Sequence, residues 1–333
     1  MVKSWFSTER TRYLPTVLAV IGILCVLPVS AMAETYTAWP GEFLRMGAGA
    51  RATGMGNAYA AVEGDVYSTY FNPAGLAALE LNELALSVHY LPFDRRFMHL
   101  AYGARIGPDA DFGISWIQAG TDDIIGRDLN GNPTRTLEDK RNALSLTFSK
   151  NINGWIAIGI NTKMTLWKLG GEDARTFGFD LGAIVRPLEH LTCSFVMQDI
   201  NSRFTWSSNT WKKTITGPNG QPIEKKDKFP VYYTLGAAYR MLGDRLILSA
   251  TAEQVEDNPL SLNGGVSYDL IDRLCLRTGF YHYTNADELD MGSFTYGMTL
   301  GLTSRTMFDY AFMPDGLIGE DIHIISFVMN YGD

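Results

Sequence analysis

Hydrophobic and polar residues alternate one by one along most of the chain from residue 83 onward. In the segment 83–91, large apolar residues fill one set of alternate positions and small or polar residues fill the other: Leu84, Leu86, Val88 and Tyr90 against Ala85, Ser87 and His89. A period of two places successive side chains on opposite faces of a β-strand. The pattern therefore predicts strands with one apolar and one polar face.

About fourteen segments of this kind follow one another to the C-terminus, an even number in the range of bacterial membrane barrels. They span residues 83–91, 97–107, 111–119, 141–150, 154–168, 175–186, 190–199, 229–240, 244–255, 259–269, 273–283, 292–303, 305–313 and 321–331. We predict an all-β membrane barrel of about 14 antiparallel strands over residues 83–333, with one face towards lipid and the other towards an enclosed polar lumen.

The predicted connections are sorted by length. Tight turns such as 107–110 and 151–153 follow even-numbered strands, whereas the long polar stretches 120–140 and 200–228 follow odd-numbered strands. Outer-membrane barrels have short periplasmic turns and longer external loops. The sorting favours a barrel over a soluble β-sandwich and predicts that both ends of the barrel sequence lie on the periplasmic side.

Residues 1–33 predict export. Three basic residues precede an apolar run over residues 17–27, and Ala31-Met32-Ala33 follows it. These are the parts of a secretory signal peptide, and the apolar run is too short to span a bilayer as a helix. We expect cleavage after Ala33 and localisation in a bacterial outer membrane, with its lipid as a partner.

Charge and hydropathy argue against two other classes of protein, those that bind nucleic acid and those that span the membrane with helices. The chain has a net charge of −8 and a mean hydropathy of −0.04, and we find no basic footprint of a nucleic-acid-binding protein. After residue 33, no apolar segment is long enough for a membrane helix. Cys193 and Cys275 fall on opposite faces of their predicted strands, so we expect no disulfide between them.

Residues 34–82 do not alternate and are rich in glycine and alanine, which allow close backbone packing. We predict that they form a compact plug, the hatch segment. Asp65 is placed to cap a short helix from Val66, and Asn72 is placed to end that helix and to cap a second turn with Pro73 in its first position.

Three motifs of the hatch segment are similar to a known family: Gly49-Ala50-Arg51-Ala52, Gly54-Met55-Gly56 and Asn72-Pro73-Ala74-Gly75-Leu76. They resemble the opening of the PorV/PorQ family within the FadL-like outer-membrane transporters, over residues 41–79. The resemblance implies a barrel closed by a hatch. The candidate hatch and gating residues are Arg45, Arg51, Gly54, Gly56, Asn72, Pro73, Ala74 and Gly75.

Ionisable residues at inward positions are the candidate luminal contacts: His89, His99, Arg105, Lys163, Asp180, Arg186, Glu253, Asp269 and Arg277. Such residues could steer an anionic solute, but the default is that they pair with one another and with the hatch. We expect Arg45 and Arg51 to pair with Asp180 or Glu253. His89 and His99 are expected to face each other at the rim without a metal, because no third ligand is apparent.

Two polar stretches have alternative interpretations. Residues 201–228 contain six basic residues and two tryptophans, which could contact lipid phosphates or a partner protein, or form a solvated hairpin turned at Asn219-Gly220. We favour the hairpin. Residues 128–132 faintly resemble a calcium loop, but their ligand spacing is incomplete, so we predict a hairpin tip.

The sequence contains neither a Gly-x-Ser-x-Gly elbow nor a His-Glu-x-x-His motif, so we expect no enzyme activity, no catalytic residue, no cofactor and no metal. Two functions remain open. The first is FadL-like passive uptake or binding of a small hydrophobic or amphipathic molecule, or detergent, in the lumen. The alternative is a PorV-like component of type IX protein secretion that binds secreted cargo or other secretion-system proteins.

Overall fold

The computed structural model describes residues 40–207, 226–255, 260–284, 290–314 and 321–332. The expected signal peptide and the expected turn at Asn219-Gly220 lie outside the described residues. The strands are β1 Asn82–Tyr90, β2 Arg95–Arg105, β3 Ala110–Arg127, β4 Pro133–Asn151, β5 Ile156–Leu169, β6 Glu172–Leu188, β7 Leu191–Ile200, β8 Arg203–Ser207, β9 Lys226–Lys228, β10 Tyr232–Met241, β11 Leu246–Val255, β12 Ser261–Ile271, β13 Leu274–Thr284, β14 Asp290–Gly301, β15 Thr306–Met313 and β16 Ile322–Tyr331.

These strands form a closed 14-strand antiparallel barrel, which confirms the predicted fold class. Neighbours in the barrel follow the chain order, except that β7 pairs with β10. The barrel closes where β16 pairs with β1, in a register that places Leu86 opposite Phe327. The short strand β8 pairs with the first residues of β6 and with β9. β8 and β9 are not counted among the 14 barrel strands.

The two ends of the barrel differ. At the turn end, short connections such as 106–109 and 302–305 join the strands, and β1 begins and β16 ends there. The opposite end, which we call the loop end, carries the connection from β7 to β10.

The stretch 120–140 was expected to be a loop, and that expectation is wrong. β3 and β4 run through most of it and are joined by a turn at residues 128–132. The Asp128 carboxylate accepts the backbone N–H groups of Asn130 and Asn132 at 2.9 Å each, which confirms the predicted hairpin tip. Polarity was a poor guide here because backbone pairing between adjacent strands continues regardless of what the side chains face.

The outer surface of the barrel is apolar. Outward residues such as Leu146 and Phe177 are 45 % and 54 % exposed, whereas the inward residues Thr147 and Ser149 are buried. Water-soluble proteins rarely expose contiguous apolar patches of more than a few hundred Å². This distribution of apolar residues is typical of a barrel surrounded by hydrocarbon. Cys193 and Cys275 are free thiols.

The described part of the hatch segment, residues 40–81, lies inside the barrel and is mostly buried. It contains a 3-10 helix at Glu42–Arg45, α-helices at Ala50–Gly54 and Ser68–Phe71, and a 3-10 helix at Pro73–Ala78. Within the described residues, no helix is long and apolar enough to cross a bilayer.

Of the two capping predictions for the hatch segment, the one for Asn72 is correct and the one for Asp65 is wrong, because Tyr67 is the N-cap of the helix Ser68–Phe71 and no side chain caps it. The Asn72 side chain accepts the backbone N–H of Ala74 at 3.0 Å, with Pro73 in the first position of the 3-10 helix. The preceding helix begins at Ser68 instead of the expected Val66. The Asp65 carboxylate still accepts a backbone N–H near its start.

Candidate functional site: the hatch and its seat in the barrel

The barrel wall that faces the hatch segment is built from residues with little or no side chain. Eight inward glycines lie against it, and we call them the glycine seat: Gly103, Gly113, Gly159, Gly182, Gly236, Gly265, Gly279 and Gly297. A Cβ added at Gly159 would lie 2.3 Å from the carbonyl carbon of Pro73, and one at Gly279 would lie 2.2 Å from the amide nitrogen of Gly56. The hatch backbone therefore touches the strand backbones directly.

Hydroxyl groups of the wall complete the seat. Ser326 on β16 accepts the amide N–H of Ala50 at 2.9 Å, and Thr295 on β14 accepts that of Gly56 at 3.0 Å. The first amide groups of a helix have no partner within the helix. Ser326 thus supplies the missing partner at the start of the helix Ala50–Gly54, and Thr295 adds a second acceptor for Gly56, whose N–H also bonds to the carbonyl of Thr53.

Arg51 lies at the centre of the seated hatch, surrounded by three buried carboxylates. Its Nε is 2.9 Å from Asp309 on β15, and its Nη1 is 3.8 Å from Glu83 on β1 and 3.9 Å from Asp65 in the hatch. Burial raises the pKa of the Asp65 carboxyl, although Arg51 and a hydrogen bond from the Tyr59 hydroxyl favour its charged form.

This arrangement corrects the expected pairing of Arg51 with Asp180 or Glu253. Inward parity places a residue in the lumen but does not give its height or its position around the barrel. Asp309 lies on the part of the wall that Arg51 contacts, and it was not among the candidate residues.

Arg45 pairs with Asp199, close to the loop end, and not with Asp180 or Glu253 as expected. Asp199 also accepts a hydrogen bond from Lys163 on β5 at 2.8 Å, and Lys163 is 3.2 Å from Asp180 on β6. Two cations thus face two carboxylates, all within the hatch and the neighbouring strands β5 to β7. Lys163 and Asp180 do pair with each other, which was the default for luminal charges.

A third ion pair joins the hatch to the wall at the turn end. The guanidinium of Arg186 on β6 donates to both oxygens of Glu63 at 2.6–3.1 Å, and Arg240 on β10 is 3.7 Å from the same carboxylate. A cavity of about 350 Å³, lined in part by Glu63, Leu81 and Arg240, opens beside it.

The remaining candidate luminal charges have separate positions. Arg105 on β2 and Asp269 on β12 are exposed near the turn end. Glu253 is half-buried on β11, towards the loop end. Arg277 on β13 donates to the hydroxyl of Thr299 at 2.6 Å. These four residues do not form a common site.

His89 and His99 do not form the expected rim pair. The register of β1 and β2 places Ser87 opposite His99 and Phe97 opposite His89, two residues away from the expected pairing. Both histidines are buried, at 2 % and 0 % exposure. His99 lies beside the hatch residue Tyr70, with ring centroids 6.1 Å apart. The described residues contain no group of three or more potential ligands placed to hold a metal.

An aromatic cluster fills the space between the hatch segment and the wall near the loop end. Its members are Phe43, Phe97, Trp167, Phe204, Trp206 and Phe229. The rings of Phe204 and Phe229 are 4.8 Å apart, and those of Trp167 and Trp206 are 5.0 Å apart. Trp167 therefore faces the lumen. Sequence analysis did not single out the phenylalanines, although Phe97 shares the inward parity of His99.

Comparison with known proteins supports the fold. No protein-family model and no curated protein matches the sequence. The structure is similar to that of the Pseudomonas putida toluene transporter TodX, with 13% identity and a TM-score of 0.63 over 90% of this chain and 100% of that one.

Two further solved structures are similar. The CymD monoaromatic hydrocarbon channel has 12% identity and a TM-score of 0.63, over 86% of this chain and 98% of that one. A Pseudomonas aeruginosa FadL homologue has 12% identity and a TM-score of 0.58, over 85% of this chain and 98% of that one. At this identity the likeness shows the fold alone.

Proposed function

We propose that this chain is an outer-membrane barrel for the passive uptake of small, uncharged hydrophobic molecules, with the hatch segment as its gate. The aromatic cluster is the observation that carries the proposal. It places six large aromatic side chains between hatch and wall, in a lumen whose other walls are largely glycine, serine and threonine. Aromatic and apolar side chains dominate sites for small apolar ligands.

The luminal cations are already paired with carboxylates of the protein, which favours uncharged solutes over solutes that carry a carboxylate. Arg45, Lys163 and Arg186 each contact a carboxylate of the protein, and so does the central Arg51. An anionic solute would have to compete with those carboxylates. A hydrocarbon needs only the aromatic surface.

The proposal includes the export and membrane steps predicted from the sequence. Residues 1–33 act as the signal peptide, residues 34–82 as the hatch and residues 83–333 as the barrel. The apolar outer band supports insertion into lipid, and the architecture is that of the outer-membrane barrels to which it is similar.

Uptake of toluene by cells that express the chain tests the function. A matched pair of substitutions tests the site: Phe204→Ala removes a ring of the aromatic cluster, whereas Phe177→Ala removes a ring that is 54 % exposed on the lipid face. We expect Phe204→Ala to reduce saturable toluene uptake and Phe177→Ala to leave it unchanged. Toluene uptake equal to that of cells without the protein would contradict the proposal.

The second candidate is PorV-like binding of secreted proteins. It is favoured by the β3–β4 hairpin, which extends from the loop end and exposes Ile125 at 60 % and Leu129 fully. Exposed apolar residues on such a hairpin are suited to contact a protein surface. Capture of secreted proteins by the wild type, and its loss in a variant with both residues changed to serine, would support this candidate over uptake.

A further inference from the structure

Two luminal histidines carry buried ring nitrogens that have no hydrogen-bond partner among the described residues. The atoms are Nε2 of His89 on β1 and both Nδ1 and Nε2 of His99 on β2. Folded proteins satisfy about 90% or more of their buried polar groups, because an unpaired group loses its bonds to water without replacement. Three unpaired ring nitrogens on two histidines of one part of the lumen are therefore unfavourable for the closed barrel.

The imidazole of His89 adjoins the aromatic cluster, and that of His99 is covered by the hatch. The ring of His89 is 4.6 Å from that of Phe97, a member of the cluster. The ring of His99 is 6.0 Å from that of Tyr67 and 6.1 Å from that of Tyr70, both in the hatch segment. Displacement of these two tyrosines would uncover the ring nitrogens of His99, which lies two residues from Phe97 on the same face of β2.

The chemistry of a neutral imidazole limits what can bind there. One ring nitrogen donates a hydrogen bond and the other accepts one. A hydroxyl group matches this pair, because it also donates one bond and accepts others. A carboxylate only accepts bonds, and it would lose its hydration among aromatic rings without gaining a counter-charge.

We propose that His89 and His99 form a polar subsite of the gate, which binds the hydroxyl group of small uncharged phenols or alcohols when the hatch opens. The apolar part of the solute lies against the aromatic cluster, and its hydroxyl group takes the place of the missing partner of the imidazoles. The inference rests on the proposed uptake function and narrows its substrate class.

Toluene and p-cresol test the subsite, because they differ by one hydroxyl group. The affinity of each is measured by calorimetry on the full barrel in lipid nanodiscs, with empty nanodiscs as the blank. The variants are His99→Leu, His99→Gln and the control His190→Leu. His190 is exposed in the turn between β6 and β7, so its loss removes an imidazole outside the lumen.

We expect wild type to bind p-cresol more tightly than toluene. His99→Leu should reduce that preference about three- to tenfold, the factor expected for one neutral hydrogen bond, and leave toluene affinity unchanged. His99→Gln retains a donor and an acceptor and should keep part of the preference, and the His190→Leu control should keep all of it. A merely structural role of His99 would change both affinities together.

The possible failures are distinguishable. If toluene and p-cresol both fail to bind to wild type, the proposed function fails and the subsite with it. If toluene binds and the preference for p-cresol is absent or survives in His99→Leu, only the subsite is overturned. Should His99→Leu fail to fold, the His89→Leu variant replaces it, with the same expected loss and the same contrary result.

Discussion

The glycine seat predicts that a single methyl group on the wall loosens the hatch. β12 contains two adjacent glycines on opposite faces. A Cβ added at Gly265 would lie 2.4 Å from the carbonyl oxygen of Met55 and 2.7 Å from its Cβ, whereas one added at Gly264 meets nothing within 4 Å. Gly265→Ala and Gly264→Ala therefore add the same atoms to the same strand, and only the first meets the hatch.

The size of the effect follows from this geometry. Ordinary contacts between carbon atoms are about 3.5–4.0 Å, so the backbone at Met55 must retreat by about 1 Å to admit the methyl group of Gly265→Ala. Overpacking of this kind costs about 1–3 kcal/mol, which weakens the closed state about 5- to 150-fold relative to the open one. Gly264→Ala should be neutral or slightly stabilising, because alanine restricts the unfolded chain.

Conductance of single barrels in planar lipid bilayers measures the open fraction directly. We expect Gly265→Ala to conduct for a larger fraction of the time than wild type and Gly264→Ala to match wild type. Heat-induced unfolding in detergent checks that both variants form the barrel. If folded Gly265→Ala closes as tightly as wild type, direct backbone contact is not what seats the hatch.

Two further predictions concern buried charges. Asp199→Asn removes the carboxylate that Lys163 and Arg45 share, while Lys163 keeps its pair with Asp180. The change should destabilise the barrel by about 1.5–3 kcal/mol, seen as a lower unfolding temperature in detergent; an unchanged temperature would contradict it. Burial raises the pKa of Asp65 in the closed hatch, so closure is stabilised below its ordinary pKa of about 3.9 and loses that stabilisation as pH rises through the raised value. Bilayer conductance should therefore increase with pH in wild type and become less dependent on pH in Asp65→Asn; equal pH profiles would refute the assignment.

The barrel could be predicted from the sequence because alternate residues of each strand face lipid and the lumen, and these two environments favour different side chains. Segments such as 292–303 show large apolar residues at every second position, and the structure has β14 at Asp290–Gly301. The same rule failed at 120–140, beyond the apolar band. There polar residues predominate on both faces, and the strands are held by backbone pairing that leaves no period in the sequence.

The site was less predictable because it depends on contacts between distant segments. Parity identified Arg186 as luminal, but its partner Glu63 lies in the hatch, where no periodic pattern applies. The glycine seat did leave a signal, since Gly159 and Gly182 recur at inward positions where a barrel wall usually carries polar side chains. That signal becomes interpretable only when a second segment is known to fill the lumen.

The distribution of charge along the hatch indicates which part of it can move. Ion pairs join the hatch to the barrel wall at Arg45, Arg51 and Glu63. Release of the whole hatch would separate all three pairs together with the backbone contacts of the glycine seat. Residues 66–79 contain no charged side chain, and they include the tyrosine-bearing helix that covers His99. Displacement of residues 66–79 would uncover His99 and would separate none of these three ion pairs, so we expect this part of the hatch to move more easily than the parts held by ion pairs.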